Sequence, residues 1–462
     1  MGDRRIVLAV MCVGYFLVLL DVTIVNVALP SIATSLEAGV SDLQWVVDGY
    51  AIALASIMLL AGTAGDLYGH RRVVMTGLVV FGVGSLGCGV APDPSVLVAA
   101  RVVQGVGAAL LLPGTLAIVT RAFPDGGERA KAIGIWAAIG SAALPAGPLV
   151  GGALVDLIGW RSVFFINLPI VVVASLVVTQ VVAESRGAPD RRLDHAGAGL
   201  GALLLGAITL AFIDAGRTGL GGPTIVATVA AVVLLFAFIA VERSRNDPVL
   251  PLALFRRPAF TVANAAAGAM NLGTLGALFL LTLYLQQVRD LSPLTAGVAL
   301  LPLFVPLSLL APLAGRLTAR LGPKVPMAAG LALAATGLAL LARLDVDSGY
   351  LVLLPAMLLW GVGLAALTPA VVAAAMGAVE ATRAGLASAV NNTARQAGGA
   401  VGIAAFGALA GSPTDRHAFM GGLHAAGLTA AGLYLVAALT TLVLVGSGGR
   451  RAVRVGPVIL GR

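Results

Sequence analysis

The sequence has few charged residues for its length. Of 462 residues only 11% are Asp, Glu, Lys or Arg, whereas 59% are hydrophobic and the mean hydropathy is +1.00. This polar fraction is too small to cover a soluble globule, so the chain is predicted to dissolve in lipid. Strand-like alternation of apolar and polar residues is also lacking, which excludes a membrane β-barrel and leaves helices as the spanning elements.

Residues that would form a nucleotide-binding or metal-binding site are scarce as well. Neither of the two lysines, Lys131 and Lys324, follows glycine, so the chain has no P-loop for ATP. Cys12 and Cys88 lie in apolar runs without metal-ligand spacing and are interpreted as small hydrophobic residues. The four histidines fall in loops or at a helix end and indicate no metal site. We expect no cofactor, and an ion gradient remains as the energy source.

Long apolar runs separated by polar breaks are the dominant feature that is present. A bilayer core of roughly 30 Å needs about 20 apolar residues per helix. We therefore predict an all-α membrane protein with fourteen transmembrane helices, over residues 6–30, 43–63, 73–91, 95–118, 131–155, 162–183, 197–215, 223–241, 259–286, 296–315, 324–342, 349–371, 384–409 and 423–446. No Ala-x-Ala site closely follows the first apolar run, so helix 1 is predicted to be uncleaved.

The basic residues are distributed unevenly between the two sides of the predicted membrane. With fourteen helices both termini share a side, and 22 of the 29 lysines and arginines lie in loops or tails on that side. The positive-inside rule then predicts that both termini are cytoplasmic. The sequence pI of about 10.2 reflects this topology, and a nucleic-acid partner is not expected.

Three segments recur along the chain at nearly equal spacing. Gly62 to Arg71 matches Gly315 to Lys324, 104–113 matches 360–369, and 134–151 matches 385–402, at offsets of 253, 256 and 251 positions. Helices 1–6 are thus predicted to correspond to helices 9–14 in parallel orientation, with helices 7 and 8 inserted. The predicted organisation is an N-terminal half at 1–183, linkers with the inserted pair at 184–258, a C-terminal half at 259–447 and a cytoplasmic tail at 448–462.

Parallel six-helix repeats are the arrangement of the major facilitator superfamily, and short motifs carry a resemblance to its fourteen-helix drug:proton antiporter branch. The motifs are Leu20-Asp21-Val22-Thr23 to Ala28-Leu29-Pro30, the loop 62–72, Arg101-Val102-Val103-Gln104-Gly105, Gly147-Pro148-Leu149-Val150-Gly151-Gly152, Trp160-Arg161 to Asn167-Leu168-Pro169, and Asn392-Thr393-Ala394-Arg395-Gln396. Each motif alone is weak, but their order along almost the whole chain makes the set specific. The resemblance implies a proton-coupled exporter of small organic molecules such as drugs, antibiotics or metabolites.

The composition also bears on the source and location of the protein. Richness in Ala, Gly and Arg with almost no Lys suits a GC-rich bacterial genome. Together with the resemblance, this predicts a multi-pass, monomeric transporter of the bacterial cytoplasmic (inner) membrane, with small molecules, protons and lipid as its partners.

Asp21, Arg101 and Asp48 are the candidate proton-coupling residues. An ionised carboxylate inside a membrane helix costs several kcal/mol, so Asp21 needs either a partner or a proton. At about 1.5 Å per residue, all three side chains lie at a similar depth near the outer surface. Contact with Arg101 would favour ionised Asp21, and loss of that contact would favour protonation, although a fixed ion pair is the alternative. Asp48 is either a cavity residue or an anchor at the outer interface.

Two further motifs predict segments that move during transport. One is a loop that would turn tightly, with Gly62, Asp66, Gly69, Arg71 and Arg72. The resemblance implies that such a loop is a gate that closes the cytoplasmic face. The alternative is a basic turn whose charges only fix the membrane topology. Leu67 and His70 replace basic residues usual in that family, which predicts a thinner charge network. In helix 5, Gly147, Pro148, Gly151 and Gly152 would allow bending and close packing, and the resemblance associates this stretch with exporters.

Polar residues within the predicted helices are candidates for a central substrate cavity. They are Asn26, Gln104, Trp136, Asn264, Asn271, Asn392, Arg395 and Gln396. Most of them are expected to form hydrogen bonds between helices. Arg395 differs because it lies near mid-membrane, about 17 Å into helix 13, where it would either pair with a neighbouring helix or meet an anionic part of a substrate.

Three alternative functions share some of these features. A proton:solute symporter would share the fold, and the helix-5 motif argues against it. An intramembrane transferase would need paired carboxylates for Mg²⁺ and diphosphate, but the nearest pair, Asp190 and Asp194, is flanked by Arg191 and Arg192. A transporter-like receptor would lack the coupling acid that Asp21 supplies.

Overall fold

The computed structural model describes residues 4–184, 194–245, 248, 250, 252–380 and 384–445. The described chain folds into α-helices joined by short turns. They are α1 Arg4–Ser35, α2 Val40–Tyr68, α3 His70–Val90, α4 Pro94–Ala122, α5 Gly126–Leu157, α6 Ser162–Phe165, α7 Asn167–Val181, α8 His195–Thr218, α9 Gly222–Ser244, α10 Pro258–Leu283, α11 Pro293–Ala299, α12 Leu301–Leu321, α13 Lys324–Leu340, α14 Tyr350–Gly377, α15 Ala384–Ala410 and α16 Arg416–Leu444. A π-helical turn at Tyr284–Val288 extends α10, and 3-10 turns lie at Leu252–Arg256 and Leu341–Arg343.

Most of these helices are long and apolar enough to cross a bilayer. Twelve stretches of the described chain qualify, and α2 makes a thirteenth if Val40–Met58 and Leu60–Tyr68, which meet at a bend of 50°, are one span. The prediction of an all-α, multi-pass protein is therefore confirmed. The remaining predicted span coincides with α15, a helix of 27 residues that is more polar because it carries Asn391, Asn392, Arg395 and Gln396.

The observed helices differ from the predicted spans mainly at their ends. Hydropathy places the sixth span in one piece, whereas the structure divides it into α6 and α7 at Ile166. The tenth is likewise divided into α11 and α12. The predicted tail at 448–462 and Asp190, Arg191 and Arg192 of the first linker lie outside the described residues.

Helix packing repeats between the two ends of the chain. In the first part α1 packs on α5, α3 on α4, and α2 on α4. In the second part α10 packs on α15, α13 on α14, and α12 on α14 in the same way. These are the pairings that a parallel duplication of α1–α7 as α10–α16 requires.

Close helix contacts at glycine repeat together with these pairings. A Cβ on Gly84 would lie 2.6 Å from the backbone nitrogen of Gln104, so only glycine permits this approach of α3 to α4. The matching contact between α13 and α14 has the same geometry, with a Cβ on Gly337 lying 2.6 Å from the backbone nitrogen of Trp360. The sequence repeat therefore extends to individual backbone contacts.

Helices α8 and α9 pack together beside the α2/α15 contact. Leu205 of α8 packs against a small cluster of Ala51, Ile52 and Ala400, while Gly216 lies against the backbone of Ala408. Helix α9 buries only Thr224, Ala227 and Glu242. The pair is thus attached through α8, and α9 presents an apolar surface outward, as a lipid-facing helix does.

The first and second parts of the chain meet mainly at one face of the bundle. We name the face with the start of α1 and the end of α16 the terminal face, and the other the opposite face. Near the opposite face Gln286 Nε2 donates to the Val27 carbonyl at 2.9 Å, and Gln44 Nε2 donates to the Ala404 carbonyl at 2.9 Å. The largest hydrophobic cluster also joins the end of α1 to α10, α11 and α14. Contacts between the two parts therefore close the opposite face.

Candidate functional site

A buried ion pair joins α1 to α4. Arg101 Nη1 lies 2.6 Å from Asp21 Oδ2, and the two side chains are 1% and 0% exposed. Helix α4 begins at Pro94, where the side chain of Asp93 caps the first turn by accepting from Val96 N at 3.0 Å. This start places Arg101 about two turns inside the helix. The pair neutralises two charges that neither helix could bury alone.

Gln104 completes the hydrogen bonding of this pair. Its Nε2 donates to Asp21 Oδ1 at 2.8 Å and to Ser85 Oγ at 2.8 Å, while its Oε1 accepts from Arg101 Nη1 at 2.6 Å. Asn167 Nδ2 donates to the same Ser85 Oγ at 3.1 Å. Both carboxylate oxygens of Asp21 are therefore satisfied, and the network links α1, α3, α4 and α7.

Helix α2 holds the rest of the Arg101 guanidinium. Arg101 Nε donates to the Val46 carbonyl at 3.0 Å, and the guanidinium carbon lies 4.2 Å from the ring centroid of Tyr50. A cation over an aromatic face is stabilised most where water is excluded, as it is here. A shift of α2 relative to α4 would consequently change the position of Arg101 against Asp21.

Asp48 does not join the Asp21 and Arg101 pair. Its side chain is 0% exposed, and both carboxylate oxygens are buried without a hydrogen-bond partner among the described residues. It lies one turn from Gln44, which bonds to α15, and just before Ala51 and Ile52, which pack against α15 and α8. Asp48 occupies a different face of α2 from Val46, whose carbonyl accepts from Arg101.

The loop predicted as a gate turns at a glycine. Gly69 has a φ of 98° between α2 and α3, and Gly322, its counterpart in the repeat, has a φ of 76°. His70 Nε2 lies 3.5 Å from Asp66 Oδ1, Arg71 Nη2 donates to the Thr179 carbonyl at 2.7 Å, and Arg72 Nε lies 3.6 Å from Glu184 Oε2. Gly62 has open space around its α-carbon. These contacts join α2 and α3 to the end of α7.

The glycines of α5 lie between α1 and α11. Gly147 is in close contact with Thr23, and a Cβ on Gly151 would lie 2.8 Å from Ile24 Cγ1. On the other side a Cβ on Gly152 would lie 2.5 Å from Leu294 Cα. The carbonyl of Pro148 lies directly against Gly297 of α11. The motif thus serves the contact between the two parts of the chain as well as packing inside the first.

The predicted cavity residues fall into two groups. Gln104, Asn26 and Asn264 are buried in this structure. Asn26 Nδ2 donates to the Val22 carbonyl at 2.7 Å and Asn264 Nδ2 to the Phe260 carbonyl at 2.8 Å, because a polar side chain in an apolar helix can bond to its own preceding turn. The more accessible group is Trp136, Asn392, Arg395 and Gln396.

Two pairs of half-buried side chains lie near each other between the two parts of the chain. The rings of Tyr15 and Trp136 stack with centroids 3.7 Å apart and planes 11° apart. Arg395 is within electrostatic range of the Tyr15 side chain, and its Nε donates to Asn271 Oδ1 at 3.5 Å. Tyr15 and Trp136 come from α1 and α5, whereas Asn271 and Arg395 come from α10 and α15. We name these four residues the Arg395 cluster.

Comparison with known proteins identifies the family of this chain. The profile of the Major Facilitator Superfamily matches residues 11–403. The chain belongs to this superfamily. It is 39% identical to the multidrug resistance protein Stp of Mycobacterium tuberculosis (strain CDC 1551 / Oshkosh), over 86% of this chain and 74% of that protein. It is 38% identical to the puromycin resistance protein pur8 of Streptomyces alboniger, over 86% of this chain and 80% of that protein.

Solved structures agree with the family. A bacterial homologue of the human lysosomal transporter Spinster, in an inward-facing and unoccupied conformation, superposes with a TM-score of 0.69 at 18% identity, covering 96% of this chain and 99% of that one. The resemblance inferred from the motifs is therefore confirmed. This Major Facilitator Superfamily protein is a transporter of small molecules and not an enzyme, and it is a multi-pass protein of the bacterial cytoplasmic membrane.

Sequence reasoning missed several residues of these sites. Ser85 and Asn167 stand as polar residues in otherwise apolar helices, which was the available signal for their role beside Gln104. Tyr50 and Tyr15 gave none, because an aromatic residue in a membrane helix is ordinary core material. Their roles depend on which helices are neighbours, and local sequence does not contain that information.

Proposed function

We propose that this chain is a proton-coupled antiporter, which exports small organic molecules across the cytoplasmic membrane by alternating access. The proton gradient supplies the energy and no cofactor takes part. The names of the relatives support export: besides Stp and pur8, a 35% identical protein of Streptomyces glaucescens is described as a tetracenomycin C resistance and export protein.

The buried pair of Asp21 and Arg101 is the observation that carries this proposal. A buried carboxylate that loses its cationic partner becomes an uncompensated charge at a cost of about 3–5 kcal/mol. Binding a proton removes this cost, so a helix movement that separates the pair loads Asp21 with a proton. A movement that restores the 2.6 Å contact expels that proton. One charge crossing 100 mV supplies about 2.3 kcal/mol for substrate export.

The contacts between the two parts of the chain support alternating access. Asp156 Oδ2 accepts from Leu294 N at 3.0 Å and from Ser292 Oγ at 3.1 Å near the opposite face. Together with the Gln286 and Gln44 bonds, these contacts favour a state closed to the outside and open to the cytoplasm. The positive-inside rule assigns the terminal face, and with it both termini, to the cytoplasm.

The proposal also includes fourteen transmembrane helices, twelve of which form two six-helix halves. Helix α15 packs along α10 and α2, so its polar residues can be accommodated within the bundle, and we assign it as the fourteenth span. The repeated packing supports an N-terminal half of α1–α7 and a C-terminal half of α10–α16, with α8 and α9 inserted. Both halves lie in one chain, so a monomer suffices for transport.

Proton release from everted membrane vesicles tests the mechanism. Vesicles with the wild type are energised, and ethidium, chloramphenicol and nalidixate are added as a cationic, a neutral and an anionic drug. We expect at least one drug to accumulate and to release protons from the lumen. Asp21→Asn should abolish both signals, and Asp347→Asn, at an exposed loop, should change neither.

Two outcomes would contradict the proposal. Undiminished proton-driven accumulation by Asp21→Asn would remove Asp21 from coupling. Drug and proton movement in the same direction would indicate a symporter instead.

A further inference from the structure

The Arg395 cluster has a positive charge that the described part of the chain does not neutralise. Among the described residues no carboxylate lies within 4.0 Å of the Arg395 guanidinium, and the neutral phenol of Tyr15 lies near it. Its hydrogen bond to Asn271 is long, at 3.5 Å. The guanidinium of Arg101, in contrast, has Asp21, Gln104 and the Val46 carbonyl as hydrogen-bond partners. A guanidinium near mid-membrane is costly without a counter-charge.

The aromatic pair beside Arg395 offers a flat apolar surface and an unused donor. Trp136 Nε1 is buried without a hydrogen-bond partner among the described residues. The ring of Tyr15 occupies the space where a side chain at position 140 would lie, because Gly140 has no Cβ. Glycine at this position therefore permits the stacked arrangement. A planar ring can stack on such a pair while an acceptor atom meets the indole N–H.

Depth and access agree with a site for a transported molecule. Measured along their helices, Tyr15, Trp136, Asn271 and Arg395 all lie about 15–20 Å from the terminal face. Asn392, one turn nearer that face on α15, is exposed. Both halves contribute two residues each, so a molecule bound here bridges the elements that move against each other.

We propose that the Arg395 cluster binds an anionic, planar aromatic substrate, with its acidic group on Arg395 and its ring against Tyr15 and Trp136. This inference rests on the proposed export function and names the substrate class. Charge-assisted hydrogen bonds to a planar guanidinium favour carboxylate over a neutral group, and the aromatic pair favours a flat ring over a saturated one.

Equilibrium dialysis of the purified transporter in detergent tests the site with three probes. They are 2-naphthoate, its neutral analogue 2-naphthamide, and the non-aromatic acid cyclohexanecarboxylate. We expect 2-naphthoate to bind roughly tenfold to a hundredfold more tightly than 2-naphthamide, as hydrogen bonds to a charged group imply. Its advantage over cyclohexanecarboxylate should be about two- to tenfold, the range of aromatic stacking.

Two variants separate the contributions of charge and ring. Arg395→Gln should lower 2-naphthoate affinity to that of 2-naphthamide without changing the latter, and Arg395→Lys should recover part of the loss. Trp136→Leu should remove the preference over cyclohexanecarboxylate while keeping the preference over 2-naphthamide. Arg343→Gln is the matched control, since this exposed arginine lies outside the bundle interior.

The possible results distinguish a failure of this substrate proposal from a failure of the proposed export function. Failure of the wild type to bind 2-naphthoate, equal binding of acid and amide, or an unchanged ratio in Arg395→Gln would each overturn the proposal. Binding in detergent needs no proton gradient, so a failure of Asp21 coupling leaves this result intact. A transporter that exports cations with coupled protons, but does not prefer 2-naphthoate, would retain the proposed function and lose this inference.

Discussion

Asp21 and Arg101 share a hydrogen bond of 2.6 Å at a point where neither side chain is more than 1% exposed. The pair lies entirely between α1 and α4, so a substrate between the two parts of the chain does not touch it. Under the proposed mechanism, its coupling to transport would therefore pass through helix positions. Helix α2 is suited to this because it holds Arg101 through the Val46 carbonyl and also contacts α15 of the other half through Gln44.

Substitution of Arg101 should expose the cost of an unpaired Asp21. Arg101→Gln should destabilise the protein by about 3–5 kcal/mol at neutral pH, because it leaves a buried carboxylate without its cation. Thermal unfolding in detergent measures this loss.

The double variant provides the control for this prediction. Asp21→Asn combined with Arg101→Gln removes both charges and should be more stable than Arg101→Gln alone. Destabilisation that is simply additive in the double variant would contradict a mutual dependence of the two side chains.

Asp48 should respond differently from Asp21. Burial of an ionised carboxylate without any donor costs several kcal/mol, whereas the neutral acid costs about as much as an amide of the same shape. Asp48→Asn should therefore leave the free energy of unfolding within about 0.5 kcal/mol of wild type. Asp48→Leu, which fills the same site without polar atoms, serves as a comparison in the same unfolding assay. A loss of several kcal/mol in Asp48→Asn would show that the carboxylate is ionised and has a partner.

The sequence was sufficient to predict most of the membrane helices, the repeat in helix packing and the contact between Asp21 and Arg101. Hydropathy located the helices because lipid requires apolar residues at every lipid-facing position. The offset of 253 positions correctly matched Gly69 to Gly322, which both adopt positive φ. Depth counting along helices placed Asp21 and Arg101 at one level, and the structure joins them.

What the sequence left open is the direction in which each polar side chain points. Asp48 lies at a similar depth to Arg101, but on a face of α2 other than the one that contacts Arg101. Hydrophobic periodicity cannot show this in a helix that is apolar nearly all round. Asn26 and Asn264 show the same difficulty, since an asparagine bonded to its own preceding turn and a cavity asparagine look alike in sequence. The stacking of Tyr15 on Trp136 depends on Gly140, a residue that carries no side chain to predict it.

The two turning glycines should be equally intolerant of a side chain. Gly69→Ala and Gly322→Ala each force a residue with a Cβ into positive φ, at a cost of about 1–2 kcal/mol. Gly62→Ala and Gly315→Ala are the matched controls, because nothing lies within 4 Å of a Cβ at either position and both are helical. Thermal unfolding should thus separate the two pairs. Equal stability of all four variants would contradict a role for backbone strain in these turns.

The contact between Gly152 and Leu294 should control closure of the opposite face. A Cβ on Gly152 would lie 2.5 Å from Leu294 Cα, so Gly152→Ala forces α5 and α11 apart where Asp156 also holds the two halves together. We expect a cysteine placed at Gln286 in a background without Cys12 and Cys88 to react several-fold faster with an impermeant maleimide when Gly152→Ala is present.

Gly222→Ala is the control for this labelling experiment, because its Cβ would meet open space at the start of α9. It should leave the labelling rate at Gln286→Cys unchanged. With Gln286 retained, the Gly152→Ala variant should also bind a substrate that enters from the terminal face less tightly, since opening the opposite face shifts the population away from the state in which Gln286 bonds to Val27. A labelling rate equal to that of the parent would mean that α11 can yield without opening the face, and that closure depends instead on the Gln44 contact between α2 and α15.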